Sequence, residues 1–426
     1  MLDINLIRSK PEWVREQLSK RGVNITFDTL LKADEKRRKE QTDNDTLKNR
    51  RNTVSAEIAR IKKTGGNADV LVKEMKIIGD KIAAGDTQIA NLEKEIFDII
   101  AALPNIPAAD VIAGGKENNK VVRTFGKVPV FNFKTKDHVE LCTSLKLIDY
   151  ERAAKISGAR SWIYTGTGAR LEWALLNYFI DFHIANGYTF MMLPHLLNYE
   201  SGYAAGQFPK FEDDVFFTDF DADKKKNKFL LPTAETALIN LYRGEIIPAD
   251  GLPMKYAGYT PCYRKEAGSY RTDERGMIRG HQFNKVEMFI YSKASDSVKY
   301  FDELVRNAEL LVEGLGLHYQ TVALAAGDCS ASMAKTYDIE VYIPSIKGYK
   351  EVSSVSNAHD YQARRANIKI RLTDKSAEFV HTLNASGLAT SRLIPAIVEQ
   401  FQNADGSVRV PEVLRKYIGG LEVIKP

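Results

Sequence analysis

From about residue 28 to residue 62 the chain runs without proline or glycine, and the apolar positions Leu47, Val54, Ile58 and Ile61 fall seven, four and three residues apart. That spacing keeps one stripe of a helix apolar and is the seam of a coiled coil. The turn TGGNAD, Thr64 to Asp69, interrupts it. Beyond it Leu71, Met75, Ile78, Ile82, Ile89, Leu92, Ile96 and Ile99 resume the four-three rhythm, with Gly85 where a knob is missing. Two long helices joined by so short a turn are expected to fold back as an antiparallel arm over about 28–101, ending at the prolines of LPNIP, Leu103 to Pro107.

Past about residue 106 the pattern shortens. ARLEWALLNYFIDFHIANG predicts an amphipathic helix over 169–185, and YTFMMLP a strand halted by Pro194. Strand-length runs recur at KFLLPT, DIEVYIP, YKEVSSVSN and RANIKIRL. They do not alternate regularly with helices, which predicts an α+β fold on a mainly antiparallel sheet and argues against a Rossmann fold. Two domains are expected, 1–105 with the arm and 106–426 with the sheet.

At 426 residues the chain can bury a large core in more than one domain. No apolar stretch approaches the ~20 residues that span a bilayer, and MLDINLIRSKPEW lacks the apolar centre of a signal peptide. A cytoplasmic protein without membrane partners is therefore expected. Cys142, Cys262 and Cys329 form no CxxC pair, so neither structural zinc nor a disulfide framework is expected. The net charge of +5 permits a polyanionic partner, and its distribution says more than its total. The first arm helix is rich in Lys and Arg, including Lys36, Arg37, Arg38, Lys48, Arg50 and Arg51, whereas the second leans acidic. Such a run is either a solvated face or a grip on phosphates.

The densest chemistry lies in CYRKEAGSYRTDERGMIRGHQFNKVEMF, Cys262 to Phe289. Two strand-like runs flank a tip with Gly268 and Gly276, which reads as a β-hairpin with a long loop. Side chains two apart share a strand face, so Arg264 and Glu266 are expected to project together, as are Phe283, Lys285 and Glu287. The result would be a cationic, acidic and aromatic floor suited to a nucleotide. The chain has neither GxGxxG nor GxxxxGK[ST], so a nucleotide would have to be held by another device.

Several words of the sequence, in order, resemble the class II aminoacyl-tRNA synthetases and, among them, the seryl-tRNA synthetases. They are LPNIP, DYERAAKISGAR, GYTFMMLP, LLPTAE, YRKEAGS, RGHQFNKVE, EVSSVSN, DYQARR and HTLNASGLATSR. The likeness spans essentially the whole chain, arm included. It implies ATP-dependent ligation of L-serine to tRNA(Ser) through a seryl-adenylate, with ATP as substrate, Mg2+ as cofactor and no zinc. It also implies a homodimer, formed about the helix-strand-proline at Pro194, and leaves tRNA(Sec) open as a second acceptor.

The resemblance assigns residues as well. Arg264 would bridge the ATP α-phosphate and the serine carboxylate, a task its planar fork suits; its alternative is a surface ion pair. Lys265, Glu266, Arg279 and Phe283 would contact ATP, Glu266 accepting from the adenine amine and Phe283 stacking on the base. Arg392 would hold the far end of the triphosphate. Glu351 and Ser354 would meet Mg2+, within an ATP-contacting run Glu351, Val352, Ser353 and Ser354. Three residues apart on a flat strand, Glu351 and Ser354 face opposite ways, so a bulge must separate them or one assignment is wrong. Thr233, Ala234, Glu235, Glu287 and Ser386 would line the serine pocket, and Lys36, Arg37, Arg38, Lys48, Arg50 and Arg51 would meet tRNA. Arg264, Glu351 and Arg392 carry the catalytic roles, and His281 is expected to anchor the loop.

Three positions depart from the family's pattern: Arg271 at the hairpin tip, Ser391 in SGLATSR, and Pro395 just after Arg392. Two rival readings stay open from sequence: a relative that passes serine to a non-tRNA acceptor, which should lack the arm, and a catalytically silent tRNA-binding protein, which should lack Arg264, Glu287, Glu351 or Arg392.

Overall fold

The computed structural model of the chain describes residues 1–266, 275–373 and 376–426. Arg271 and Gly268 lie outside the described residues. Contacts divide the chain into two units, one of Leu2–Ser19 with Val23–Leu103, the other of Met1, Lys20–Gly22 and Pro104–Pro426.

The first unit contains the arm. Helices α1 (Asp28–Lys63) and α2 (Asp69–Ala102) run either side of the turn. Val54, Ile78 and Ile82 form a buried cluster, flanked by Leu47, Ile58, Leu71 and Met75, as the apolar spacing requires. At Gly85 the facing residue is Asn44, almost fully buried. A Cβ on Gly85 would stand 3.0 Å from the Asn44 carboxamide carbon. Asn44 donates to Asp86 at 2.7 Å, so this layer of the seam is polar and narrow rather than apolar. Nearer the base, Asp34 is buried and accepts from Arg8 at 2.8 Å and Arg38 at 3.0 Å, with Arg37 at 3.6 Å.

The second unit is built on an eight-stranded sheet. Its strands are β1 (Lys120–Phe125), β2 (Thr189–Met192), β3 (Met254–Tyr263), β4 (Gln282–Ser292), β5 (Tyr319–Ala323), β6 (Lys335–Ile343), β7 (Gly348–His359) and β8 (His381–Ala389). The spatial order is β1-β5-β6-β7-β8-β4-β3-β2. All neighbours are antiparallel except β3 and β2. Strand alternation divides the residues cleanly. Val286, Met288, Ile339, Val341, Val355, Leu383 and Ala385 belong to the main core. Helices α4 (Gly166–Ala185), α5 (Ser297–Gly314) and α6 (Thr390–Gln400) contribute Leu175, Leu311 and Ile397 to that core. Between β1 and β2 a shorter helix, α3 (His138–Ser144), is capped by Asp137.

The segment HTLNASGLATSR is a strand, β8, that passes directly into α6. Pro395 lies inside that helix, where its missing N–H leaves the Ser391 carbonyl without the usual intrahelical donor. Ser391 is buried in the first turn.

Candidate functional site

The face of the sheet opposite the core lines a cavity of about 870 Å³. Lys285 and Glu287 of β4, Asp338 of β6, Glu351 and Ser354 of β7, and Ser386 of β8 all reach it.

On β7 the ladder slips by one residue: Ile339 faces Ser353, but Glu340 faces Glu351. Val352 is the extra residue of a bulge. Glu351 and Ser354 consequently share the cavity face, while Val352 and Val355 share the core. From α6, Arg392 donates to the Glu351 carbonyl at 2.7 Å and to the Ile278 carbonyl at 3.1 Å. Its guanidinium also lies 3.7 Å from the Glu351 carboxylate. Asp338, directly opposite Ser354, keeps one carboxylate oxygen buried with no hydrogen-bond partner among the described residues. Burial, and then the charge of Glu351, push its carboxyl well above the usual range. Two carboxyl groups, one of them with an unsatisfied buried oxygen, and a hydroxyl form the kind of oxygen-rich, incompletely coordinated set that suits magnesium shared with phosphates.

Elsewhere in the cavity wall stand Thr233, Glu235, Lys285, Glu287 and Asn384. Lys285 contacts Glu287 at 2.6 Å and donates to Thr233 at 2.7 Å. Asn384 donates to Glu287 at 3.3 Å, and Gln362 donates to Glu235 at 2.6 Å. Burial, with the charge of Glu287 next, pushes the Glu235 carboxyl up to about 7. A pocket with two acidic side chains and one lysine has room in its charge balance for one more cation, such as an ammonium group.

The hairpin differs from its expected form. Strand β3 ends at Tyr263, so Arg264 and Glu266 lie beyond the sheet, and alternation no longer governs them. Glu266 adopts a left-handed backbone, φ 53°. Even so, Arg264 and Glu266 both reach the cavity, with Arg279 paired to the Glu266 carboxylate. Arg264 donates to the Pro232 carbonyl at 3.2 Å, and its guanidinium lies 5.1 Å from the Phe283 ring centre. His281 fastens the end of the hairpin: its carbonyl accepts from Arg264 N–H at 2.9 Å, and its ring Nδ1 meets the Arg264 carbonyl at 3.0 Å.

Five expected site residues do not line the cavity. Val352 is turned into the core by the bulge. Ser353 donates to the Ser386 carbonyl at 2.6 Å. Ala234 is packed beside Leu238 in a second core. Lys265 is exposed, its ammonium 5.9 Å from the Phe216 ring. Phe283 turns its ring to Arg264. Conversely, sequence reading assigned no role to Asp338, Asn384 or Gln362, and left Lys285 without a substrate. For Lys285 and Asn384 the i, i+2 spacings to the assigned Glu287 and Ser386 were the available signal; Asp338 and Gln362 had none.

On the arm, Lys48 pairs with Asp86 at 2.9 Å and Arg50 with Glu74 at 2.7 Å, so these two cations are engaged across the helix pair. Lys36 and Arg51 are exposed.

Residues 1–107 match the family model described as the seryl-tRNA synthetase N-terminal domain. Residues 216–401 match the tRNA synthetase class II core domain for G, H, P, S and T. A serine–tRNA ligase 2 of Clostridium acetobutylicum is 57% identical over 421 residues, covering 98% of this chain and 99% of that protein. Among solved structures, seryl-tRNA synthetase from Pyrococcus horikoshii complexed with ATP superposes with a TM-score of 0.91 at 35% identity, covering all of both chains. Cytoplasmic serine–tRNA ligase from Naegleria fowleri in complex with AMP gives 0.87 at 28% identity, over 100% of this chain and 99% of that one.

Proposed function

This chain belongs to the seryl-tRNA synthetases, and from that premise we propose that it ligates L-serine to tRNA(Ser), activating serine with ATP in the cavity on the sheet. The observation that carries the reading is that Arg264, Glu287, Glu351 and Arg392, from four separate segments, line one cavity.

The carboxylates of Glu235 and Glu287 hold the serine ammonium, and the hydroxyl meets Ser386 and Thr233. Arg264, anchored by Pro232, orients the serine carboxylate against the ATP α-phosphate. The carboxylate attacks the α-phosphorus in line, forming the mixed anhydride and releasing pyrophosphate. A terminal ribose hydroxyl of tRNA then attacks the anhydride carbonyl, releasing AMP. Neither step needs a protein nucleophile, so acceleration comes from positioning and charge neutralisation. Arg392 and Arg279 take the phosphate charge. Glu351 and Ser354 are the residues that would hold magnesium, which when bound neutralises the polyphosphate and orients it.

The first unit, including the arm, is assigned to tRNA binding and the second to catalysis. Lys36, Arg37, Arg38, Lys48, Arg50 and Arg51 remain the candidates for backbone contacts along the RNA. A homodimer is supported by exposed Trp173 and Ile184 on α4 and Met192 on the edge strand β2. Among the described residues no helix is long and apolar enough to cross a membrane, and a cytoplasmic location agrees with that. Charging of tRNA(Sec) is a further expectation, read by transfer of labelled serine to that tRNA. The two rivals are disfavoured, since arm and cavity residues are all present.

The test is serine-dependent exchange of labelled pyrophosphate into ATP, compared with threonine, alanine, cysteine and glycine, and repeated without magnesium. Exchange with serine alone is expected, and its absence would overturn the reading.

A further inference from the structure

Outside the cavity, α3 carries a buried histidine that the chemistry above does not use. His138 Nδ1 lies 2.7 Å from Glu399 Oε1, and Nε2 lies 3.1 Å from the Arg275 carbonyl. A carbonyl can only accept, so Nε2 carries a proton, and a second proton must lie between Nδ1 and Glu399 to separate their lone pairs. Glu399 is fully buried and also accepts from the His138 N–H at 2.9 Å, the Ser345 N–H at 2.7 Å and the Ser345 hydroxyl at 2.8 Å. The ring is therefore fixed from behind, with one donor aimed at the chain just before β4.

That chain, Arg275 to Arg279, is seated closely. A Cβ on Gly276 would meet His138 Nε2 and Val139 Cγ2, both at 2.7 Å, and Gly276 has φ +66°, a conformation that disfavours any side chain. Met277 and Ile278 are buried. Asp137 pairs with the Arg275 guanidinium at 3.3 Å. Helix α6 thus reaches this short segment twice: directly, where Arg392 donates to the Ile278 carbonyl, and through Glu399 and His138 at Arg275.

We propose that His138 is a positioning residue for the ATP-dependent step: held by Glu399, it sets the register of the 275–279 segment and with it the placement of Arg279 and Arg392 on the triphosphate. The inference rests on the reading of the cavity as the ATP site.

The test compares two near-isosteric variants in the full chain by serine-dependent pyrophosphate exchange. His138→Gln keeps an amide donor where Nε2 stood, whereas His138→Asn keeps one only toward Glu399. His138→Asn is expected to raise KM for ATP about tenfold with KM for serine within twofold, and His138→Gln to restore most of that affinity. Gly276→Ala, which keeps both His138 and Glu399 but crowds the segment away from the ring, should reproduce the rise. Thermal unfolding of each variant separates a change in stability from a change in position. Equal behaviour of the Asn and Gln variants, parallel changes in both KM values, or unchanged KM for ATP in Gly276→Ala would overturn the inference. Failure of the unsubstituted protein to exchange would instead overturn the functional reading itself.

Discussion

Glu351 and Ser354 stand on the same face of one strand although they are three positions apart, because the bulge at Val352 takes one residue out of the ladder. The carboxylate and hydroxyl assigned to magnesium thereby become neighbours across a single sheet face, opposite Asp338. Sequence spacing alone would have set them on opposite sides.

Removing the Glu351 charge tests that arrangement. Glu351→Gln is expected to raise the magnesium concentration for half-maximal pyrophosphate exchange at least about tenfold and to lower kcat about 10²-fold. A magnesium titration identical to that of the unsubstituted protein would remove Glu351 from the metal site.

Arg264 should not tolerate its nearest chemical neighbour. A lysine cannot bridge two oxyanions as a planar fork does or keep the same approach to the Phe283 ring. Arg264→Lys is expected to lower kcat/KM for exchange about 10²–10³-fold with the fold intact by circular dichroism.

Serine binding should depend on pH through Glu235. Its carboxyl sits near 7 in the empty pocket because burial and Glu287 favour the neutral form. An ammonium ligand favours the ionised form, so serine expels that proton as it binds. KM for serine is expected to rise up to tenfold per unit as pH falls below about 7 and to level off above it. In Glu235→Gln the slope should vanish, with a raised KM throughout. The stability effect has the opposite sense. A raised carboxyl pKa stabilises the fold below its unfolded value of about 4.5, and that contribution is lost as pH rises through 7.

The polar layer of the arm gives a coupled prediction for stability. Replacing Gly85 with alanine improves helix propensity by about 1 kcal/mol, but the new methyl crowds Asn44. Gly85→Ala is therefore expected to stabilise the chain only when combined with Asn44→Ala, which thermal unfolding of the single and double variants reads directly.

On the arm surface, Lys36 and Arg51 should matter to tRNA in a salt-dependent manner. Their joint replacement by alanine is expected to weaken tRNA(Ser) binding and to lower the slope of log K against log salt by roughly 0.7–0.9 for each phosphate that is no longer neutralised. Serine-dependent exchange without tRNA should stay unchanged, and an unaltered salt slope would place the RNA elsewhere.

Much of this was legible in the sequence because the responsible forces are local. The four-three rhythm marked both arm helices within a few residues of their observed bounds, since a seam must repeat to stay buried. Strand runs such as DIEVYIP and YKEVSSVSN announced themselves by their length and lack of helical spacing. What escaped was set by contacts distant in sequence. Asn44 is polar, and only the glycine facing it on the other helix makes room for its burial. Asp338 gains meaning only from Ser354 across a ladder, and His138 only from Glu399, 261 residues away. The side chains of Val352 and Ser353 were expected at the nucleotide because a motif was read as a continuous strip, whereas the bulge sends both away from the cavity. Arg264 and Glu266 reach it from beyond the strand, by a route that alternation does not describe.

The two arm helices carry opposite balances: α1 has eleven Lys and Arg against seven Asp and Glu, and α2 has four against seven. Lying side by side, they make the arm an electric dipole across its width rather than a uniformly cationic rod. A polyanion drifting toward it feels a torque as well as a pull, drawn to the α1 edge and turned from the α2 edge. The arm would therefore select the orientation of an approaching RNA before the two surfaces touch, and added salt should erode that orientation along with the affinity.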